Sequence, residues 1–106
     1  MPKSVQSLVN RLTFRQLQVF KSVYELSSYS RAGDMLGLSQ PAVSNQIRQL
    51  EQALEQPLFE YVGRQLYSTA TAKRLAQCIQ VMFDEIQRFQ DDLSAEIGLI
   101  SGELTL

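Results

Sequence analysis

No histidine occurs anywhere in the 106 residues. That removes imidazole acid–base chemistry, histidine metal ligands and any serine–histidine nucleophile pair. Cysteine is nearly missing too: Cys78 stands alone, so no internal disulfide framework can form, and a reducing cytoplasm is the expected compartment. No apolar run approaches the length of a membrane span, and no secretory leader pattern is visible. A glycine-rich phosphate loop is also lacking. The acidic pairs Asp84-Glu85 and Asp91-Asp92 are most simply solvating residues of an exposed helix. Cys78 sits in an apolar stretch without a cationic neighbour, so it is expected to be an inert, packed thiol. Neither catalytic nor metal-binding residues are expected, and no cofactor is assigned to this stretch of chain.

An excess of one charge is the last thing the chain lacks. Ten basic and eleven acidic residues leave a formal net charge of −1. Their distribution is uneven. Residues 1–68 hold seven Lys or Arg against five Asp or Glu, a net of +2; residues 69–106 hold three against six, a net of −3. A hydrophobic content of 44% is enough for one modest core in one small domain.

The most informative stretch is residues 39–51, Ser-Gln-Pro-Ala-Val-Ser-Asn-Gln-Ile-Arg-Gln-Leu-Glu. Ser39 can cap the free amides of a helix start, and Pro41 is tolerated in a first turn. Val43, Ile47, Leu50 and Leu54 recur at helical spacing and commit one face to a core. The opposite face carries Pro41, Ser44, Asn45, Arg48 and Gln52. Hydroxyl, amide and guanidinium groups are the types that pair with base edges and phosphates in a major groove. Taken alone, an ordinary amphipathic helix with a polar outer face explains this segment equally well. The preceding residues change the balance. Ser30 can cap a short helix whose buried face is Ala32, Met35 and Leu36, and Gly37 can end it in the left-handed conformation. Two helices joined by a tight glycine-containing turn make a helix-turn-helix.

Residues 1–11 read as a polar, frayed tail, and residues 12–68 as the folded domain. Thr13-Phe14-Arg15-Gln16 fits a capping box, with Leu12 and Leu17 as a hydrophobic staple. Phe14, Leu17, Phe20, Val23 and Tyr24 form the buried stripe of a first helix, and Tyr29 is expected in the core. Beyond Gln56-Pro57, residues 58–61 and 64–67 read as two short strands about Val62-Gly63, with Gly63 supplying a positive dihedral. Arg64 would project near the tip of this wing and reach a minor groove or a phosphate. A hairpin that only covers the core, with Arg64 solvated, is the alternative.

Thr69 can cap a last helix running to about Ile97 and ended by Gly98, giving a linker over residues 69–98. At about 1.5 Å per residue it would be roughly 40 Å long, too long for so small a domain to cover. Leu75, Ile79, Met82, Ile86, Phe89 and Leu93 alternate three and four apart, the heptad pattern of a helix that needs a partner.

Residues 30–54 resemble the N-terminal domain of LysR-type bacterial transcription regulators. The resemblance rests on the Ser-Gln-Pro-Ala-Val-Ser core followed by Gln46-Ile47, Gln49-Leu50-Glu51 and Leu58-Phe59-Glu60, and extends from about Leu12 to the chain end. It implies a mainly α fold: a winged helix-turn-helix of three helices and a two-stranded wing, then a long dimerisation helix. It implies double-stranded DNA as partner, read as an inverted repeat, and a homodimer through an antiparallel linker pair, with a tetramer for a full-length protein. Residue by residue, the resemblance carries DNA contact onto Ser30, Arg31, Ser39, Gln40, Pro41, Ser44, Asn45, Arg48 and Arg64. Residues 99–106, whose end alternates apolar and polar, fall where an effector-binding domain begins, so a small-molecule effector belongs to that further domain. Three departures stand out. Gly33 replaces a usual alanine, at about 1 kcal/mol of helix stability. Tyr61 replaces a frequent arginine, so the backbone contact that the resemblance implies for an arginine there is not expected. Ala72 replaces a common glycine and stiffens the start of the last helix. Gln49-Leu50-Glu51, Pro57-Leu58-Phe59-Glu60 and Gly63-Arg64-Gln65-Leu66-Tyr67 lean toward the subgroup controlling carbon-fixation operons. Two other classes stay open: a winged helix whose polar face meets another protein, and a ligand sensor with a core cavity.

Overall fold

The computed structural model describes Leu8 and residues 10–101, and from Phe14 onward the described residues form four helices and one hairpin in succession. They are α1 (Phe14–Leu26), α2 (Tyr29–Leu36), α3 (Gln40–Leu54), β1 (Phe59–Val62), β2 (Gln65–Ser68) and α4 (Ala70–Ser101). The chain divides into two compact units, one through Ala76 and one from Gln77 onward.

In the first unit, α1 starts as its sequence dictates. The Thr13 hydroxyl accepts from the Gln16 amide at 3.1 Å, and the Gln16 side chain accepts from the Thr13 amide at 3.1 Å, so two orphan donors are satisfied. Just before it, Leu8, Asn10 and Arg11 are helical, with the Leu12 amide donating to the Leu8 carbonyl at 3.0 Å. The frayed tail expected over residues 1–11 is therefore corrected at these positions; its remaining residues lie outside those described. Helix α1 buries Leu17, Val19, Phe20 and Val23 against Ala32 of α2 and Val43, Ile47 and Leu50 of α3, while Leu58 and Phe59 close the core from the wing side. Phe20 is fully covered and stacks on Tyr24 at 5.8 Å and meets Phe59 at 5.5 Å. Phe14, expected in this stripe, is instead 50% exposed: it stands at the first position of the helix, where little packs over it.

The wing is antiparallel, with Phe59 opposite Ser68 and Val62 opposite Gln65. Gly63 has φ +64° at the first position of a two-residue turn, the conformation that hairpin twist requires and that glycine adopts freely. The strands lie one residue later than the pattern suggested, which moves Arg64 from the second strand into the turn itself.

Helix α4 begins with the Thr69 hydroxyl accepting from the Ala72 amide at 3.2 Å, and the Ala72 methyl is fully buried. It does not stop at Gly98. It continues to Ser101, because Gly98 keeps helical geometry, a choice that costs only about 1 kcal/mol. Residues 99–101 are thus part of the helix, and the alternating stretch expected to start a strand, residues 102–106, lies outside those described. Within the second unit, Ile79, expected in the seam, is 1% exposed. Leu75, in the first unit, is half-buried. Met82, Ile86, Phe89 (67% exposed) and Leu93 remain open along one stripe. The far face carries Gln80–Asp84 and Gln87–Asp91 hydrogen bonds of 2.9 and 3.1 Å, the i,i+4 latches of a solvated helix surface. Cys78 is exposed, not packed, because it lies beside the buried Ile79 position rather than on it.

Candidate nucleic-acid interface

Helix α3 is built to present one face. Ser39 is extended (φ −70°, ψ 157°), and its hydroxyl accepts from the Ala42 amide at 3.2 Å, while Pro41 occupies the first turn. Glu55 ends the helix in the left-handed conformation, φ +57°, two residues before the proline expected to close it. Val43, Ile47, Leu50 and Ala53 are buried. Gln40, Pro41, Asn45, Arg48 and Gln52 are exposed along the opposite face, and Ser44 is half-buried at its edge.

The turn before α3 depends on close backbone approach. Gly37 sits at φ +71°, and the Leu38 amide donates to the Gly33 carbonyl at 2.8 Å. A Cβ on Gly33 would lie 2.5 Å from the Leu38 carbonyl oxygen and 3.4 Å from Val43 Cγ2. Gly33 is therefore more than a weak helix former: it lets the turn fold tightly onto α2.

Helix α2 is capped by Ser28, whose hydroxyl accepts from the Arg31 amide at 3.1 Å. Ser30, expected as the cap, is instead an exposed first-turn residue, its hydroxyl 3.3 Å from that of Ser28. The register differs because Tyr29 is drawn into the helix by its ring contacts with Phe59 (6.1 Å) and Tyr61 (6.3 Å). Arg31 is exposed beside it. Met35, expected to be buried, is 65% exposed; Ala32 and Gly33 fill the inward face.

Charge on this face is uncommitted. Among the described residues the ion pairs are Lys21–Glu25 at 2.9 Å and Glu85–Arg88 at 3.1 Å. Arg31, Arg48 and Arg64 have none. Arg48 precedes Glu51 by three residues, a spacing at which helical pairs form, yet Glu51 Oε2 accepts from the Leu58 amide at 2.7 Å instead. That bond fastens α3 to the base of the wing. The same carboxylate acts on Tyr29. Its phenol is pushed up to about 12, first by burial, then by the negative charge of Glu51 and by Tyr61, with Arg48 pulling the other way. A second tie reaches α3 from α1: the buried Gln16 side-chain NH2 donates to Gln49 Oε1 at 3.3 Å. Neither tie was readable from local pattern, since their partners lie seven and 33 residues apart. Glu51 and Gln49 do fall within the Gln49-Leu50-Glu51 group that the resemblance singled out.

Comparison with known proteins gives the same scaffold. Residues 14–73 match the family model described as bacterial regulatory helix-turn-helix protein, lysR family. A RuBisCO operon transcriptional regulator of Acidithiobacillus ferrooxidans is 35% identical over 96 residues, covering 91% of this chain and 31% of that protein. The HTH-type transcriptional regulator CfxR of Cupriavidus necator is 36% identical over 102 residues, covering 96% of this chain and 32% of that protein. The chain thus spans about a third of the length of these relatives, which are transcription regulators rather than enzymes. Among solved structures, the BenM_DBD/benA site 1 DNA complex matches with a TM-score of 0.74 at 26% identity, covering 81% of this chain and 97% of that one. With a winged helix-turn-helix fold and a family model matched across it, the chain is a member of the lysR family of bacterial regulatory helix-turn-helix proteins.

Proposed function

We propose that the chain binds duplex DNA as the reading part of a bacterial transcription regulator. Helix α3 enters a major groove, and the wing tip lies along the backbone beside it. The observation that carries this reading is the open face of α3, where Asn45, Arg48 and Gln52 are exposed and Arg48 is held by no carboxylate, with the equally unpaired Arg64 at the wing tip. Asn45 suits an adenine edge and Arg48 a guanine or a phosphate, while Pro41 and Ala42 suit a thymine methyl. Ser30, Arg31, Ser39 and Gln40 sit at helix starts, where amides and hydroxyls hold phosphate, and Ser44 lies at the edge of the reading face.

The assembly is a homodimer through the open stripe of α4, so the target is an inverted repeat read by two copies of α3. Met82, Ile86, Phe89 and Leu93 support this, being large, apolar and exposed along one helix face. The location is cytoplasmic, with no helix long and apolar enough to cross a membrane among the described residues. A small-molecule effector acts through a further domain of the full-length regulator. The relatives named for RuBisCO operons make the promoter of a carbon-fixation operon the first duplex to try.

The test is binding to a panel of single-base variants of a selected duplex. Arg64→Ala should weaken binding to every duplex and flatten the salt dependence by about one ion. Asn45→Ala should relax preference at one base pair per half-site, at roughly 1–3 kcal/mol. Salt-independent binding, or a preference profile unchanged by Asn45→Ala, would refute the assignment of α3 as reader.

A further inference from the structure

We infer that Tyr61 is a second backbone-gripping residue of the wing, donating a neutral hydrogen bond from its hydroxyl to a DNA phosphate. The inference rests on the DNA-binding reading above.

Two tyrosines are exposed on the wing, and they differ in one respect. The Tyr67 hydroxyl is engaged, donating to Gln65 Oε1 at 2.9 Å. The Tyr61 hydroxyl has no hydrogen-bond partner among the described residues, although the ring is 62% exposed. Strand alternation places Tyr61 on the same face as the buried Phe59, but nearer the turn, past the edge of the core. Its ring is not loose. Tyr29 lies 6.3 Å away at 48°, and Tyr29 is itself held edge-on to Phe59 at 6.1 Å. A ring anchored at its base with a free donor at its tip is preorganised for a contact outside the protein. Tyr29, which holds the Tyr61 ring, also feels the charges of Glu51 and Arg48 of α3.

Phosphate oxygens accept from tyrosine hydroxyls as well as from cations, and such contacts set register without reading sequence. A neutral donor displaces no condensed counterion, so it strengthens binding without steepening the salt dependence. The wing would then grip the backbone at two points of different electrical character, Arg64 and Tyr61.

The experiment is fluorescence anisotropy of the 106-residue chain on random-sequence duplex DNA and on a selected duplex, each across a salt series. Tyr61→Phe removes one oxygen and leaves the ring stack in place. It should weaken binding about three- to tenfold on both duplexes, with the salt slope unchanged. Tyr67→Phe, whose hydroxyl is already engaged, should stay within about twofold of the parent. Tyr61→Arg should restore binding at low salt and steepen the slope by about 0.9 for the one added phosphate contact. A Tyr61→Phe variant that binds like the parent, or that changes preference at one base pair only, overturns the inference while leaving the DNA-binding reading intact. A parent chain that binds neither duplex removes that reading and this inference with it.

Discussion

Removing the Glu51 carboxylate should loosen the wing and weaken the whole fold by an amount set by one hydrogen bond. Glu51 Oε2 accepts from the Leu58 amide at 2.7 Å, and Leu58 is fully buried at the base of the wing. A hydrogen bond to a charged group contributes about 1.5–3 kcal/mol, roughly twice a neutral one. Glu51→Gln keeps an oxygen acceptor and should cost about 1 kcal/mol. Glu51→Ala leaves the amide without an acceptor beside the core and should cost about 2–3 kcal/mol. In a domain of this size each kcal/mol moves Tm by about 4–8 °C. Urea unfolding followed by circular dichroism, with the denaturant slope checked for constancy, measures both. A second readout isolates the charge. The Glu51 carboxylate is one of the causes holding the Tyr29 phenol at about 12, so both variants should shift its tyrosinate absorbance to lower pH. Burial, the larger cause, persists, and the shift should be partial. If Gln and Ala behave alike, and both stay within about 0.5 kcal/mol of the parent, the Leu58 amide has found another acceptor and the reasoning fails.

Three further outcomes are expected. Because the Tyr29 phenol is raised above its ordinary 10.0, the protonated form contributes stability that is complete below that pH and is lost as pH rises through about 12; Tyr29→Phe should flatten this part of the alkaline unfolding profile. Gly33→Ala should destabilise, although alanine is the better helix former by about 1 kcal/mol, because the new methyl must displace the Leu38 carbonyl from 2.5 Å; a higher Tm would show that the turn yields freely. Ile86→Asp should shift the chain from dimer to monomer in sedimentation at micromolar concentration, by placing an unpaired charge in the stripe; a parent that is already monomeric there would remove the dimer proposal.

What the sequence made legible was local. The Thr13–Gln16 capping box, the Ser39–Pro41 start of α3 and the Gly63 turn each draw on residues within a few positions, and each formed where its chemistry allowed. Choices between near-equal local options were not legible. Ser28 and Ser30 can both cap α2, and only the aromatic contacts of Tyr29 separate them. An eight-residue helix cannot say which of Ala32, Met35 and Leu36 is covered, and Met35 lost. Heptad spacing set Ile79 alongside Met82 and Ile86, and spacing does not record that Ile79 is 1% exposed while the other two are open. In the candidate interface, the exposed side chains of α3 followed from periodicity. The ties that hold the helix in place, Glu51 to Leu58 and Gln16 to Gln49, required the fold.

The Gln16 carboxamide has a dynamic consequence. Its oxygen caps α1 while its NH2 holds Gln49, so one side chain spends both ends on different helices. Opening the first turn of α1 frees one end of this side chain and so weakens one of the ties on α3. The amides of Gln16 and those in the middle of α3 should exchange with solvent as one cooperative unit, with a common opening free energy. A residue outside the reading face would in this way help to hold that face in its competent position.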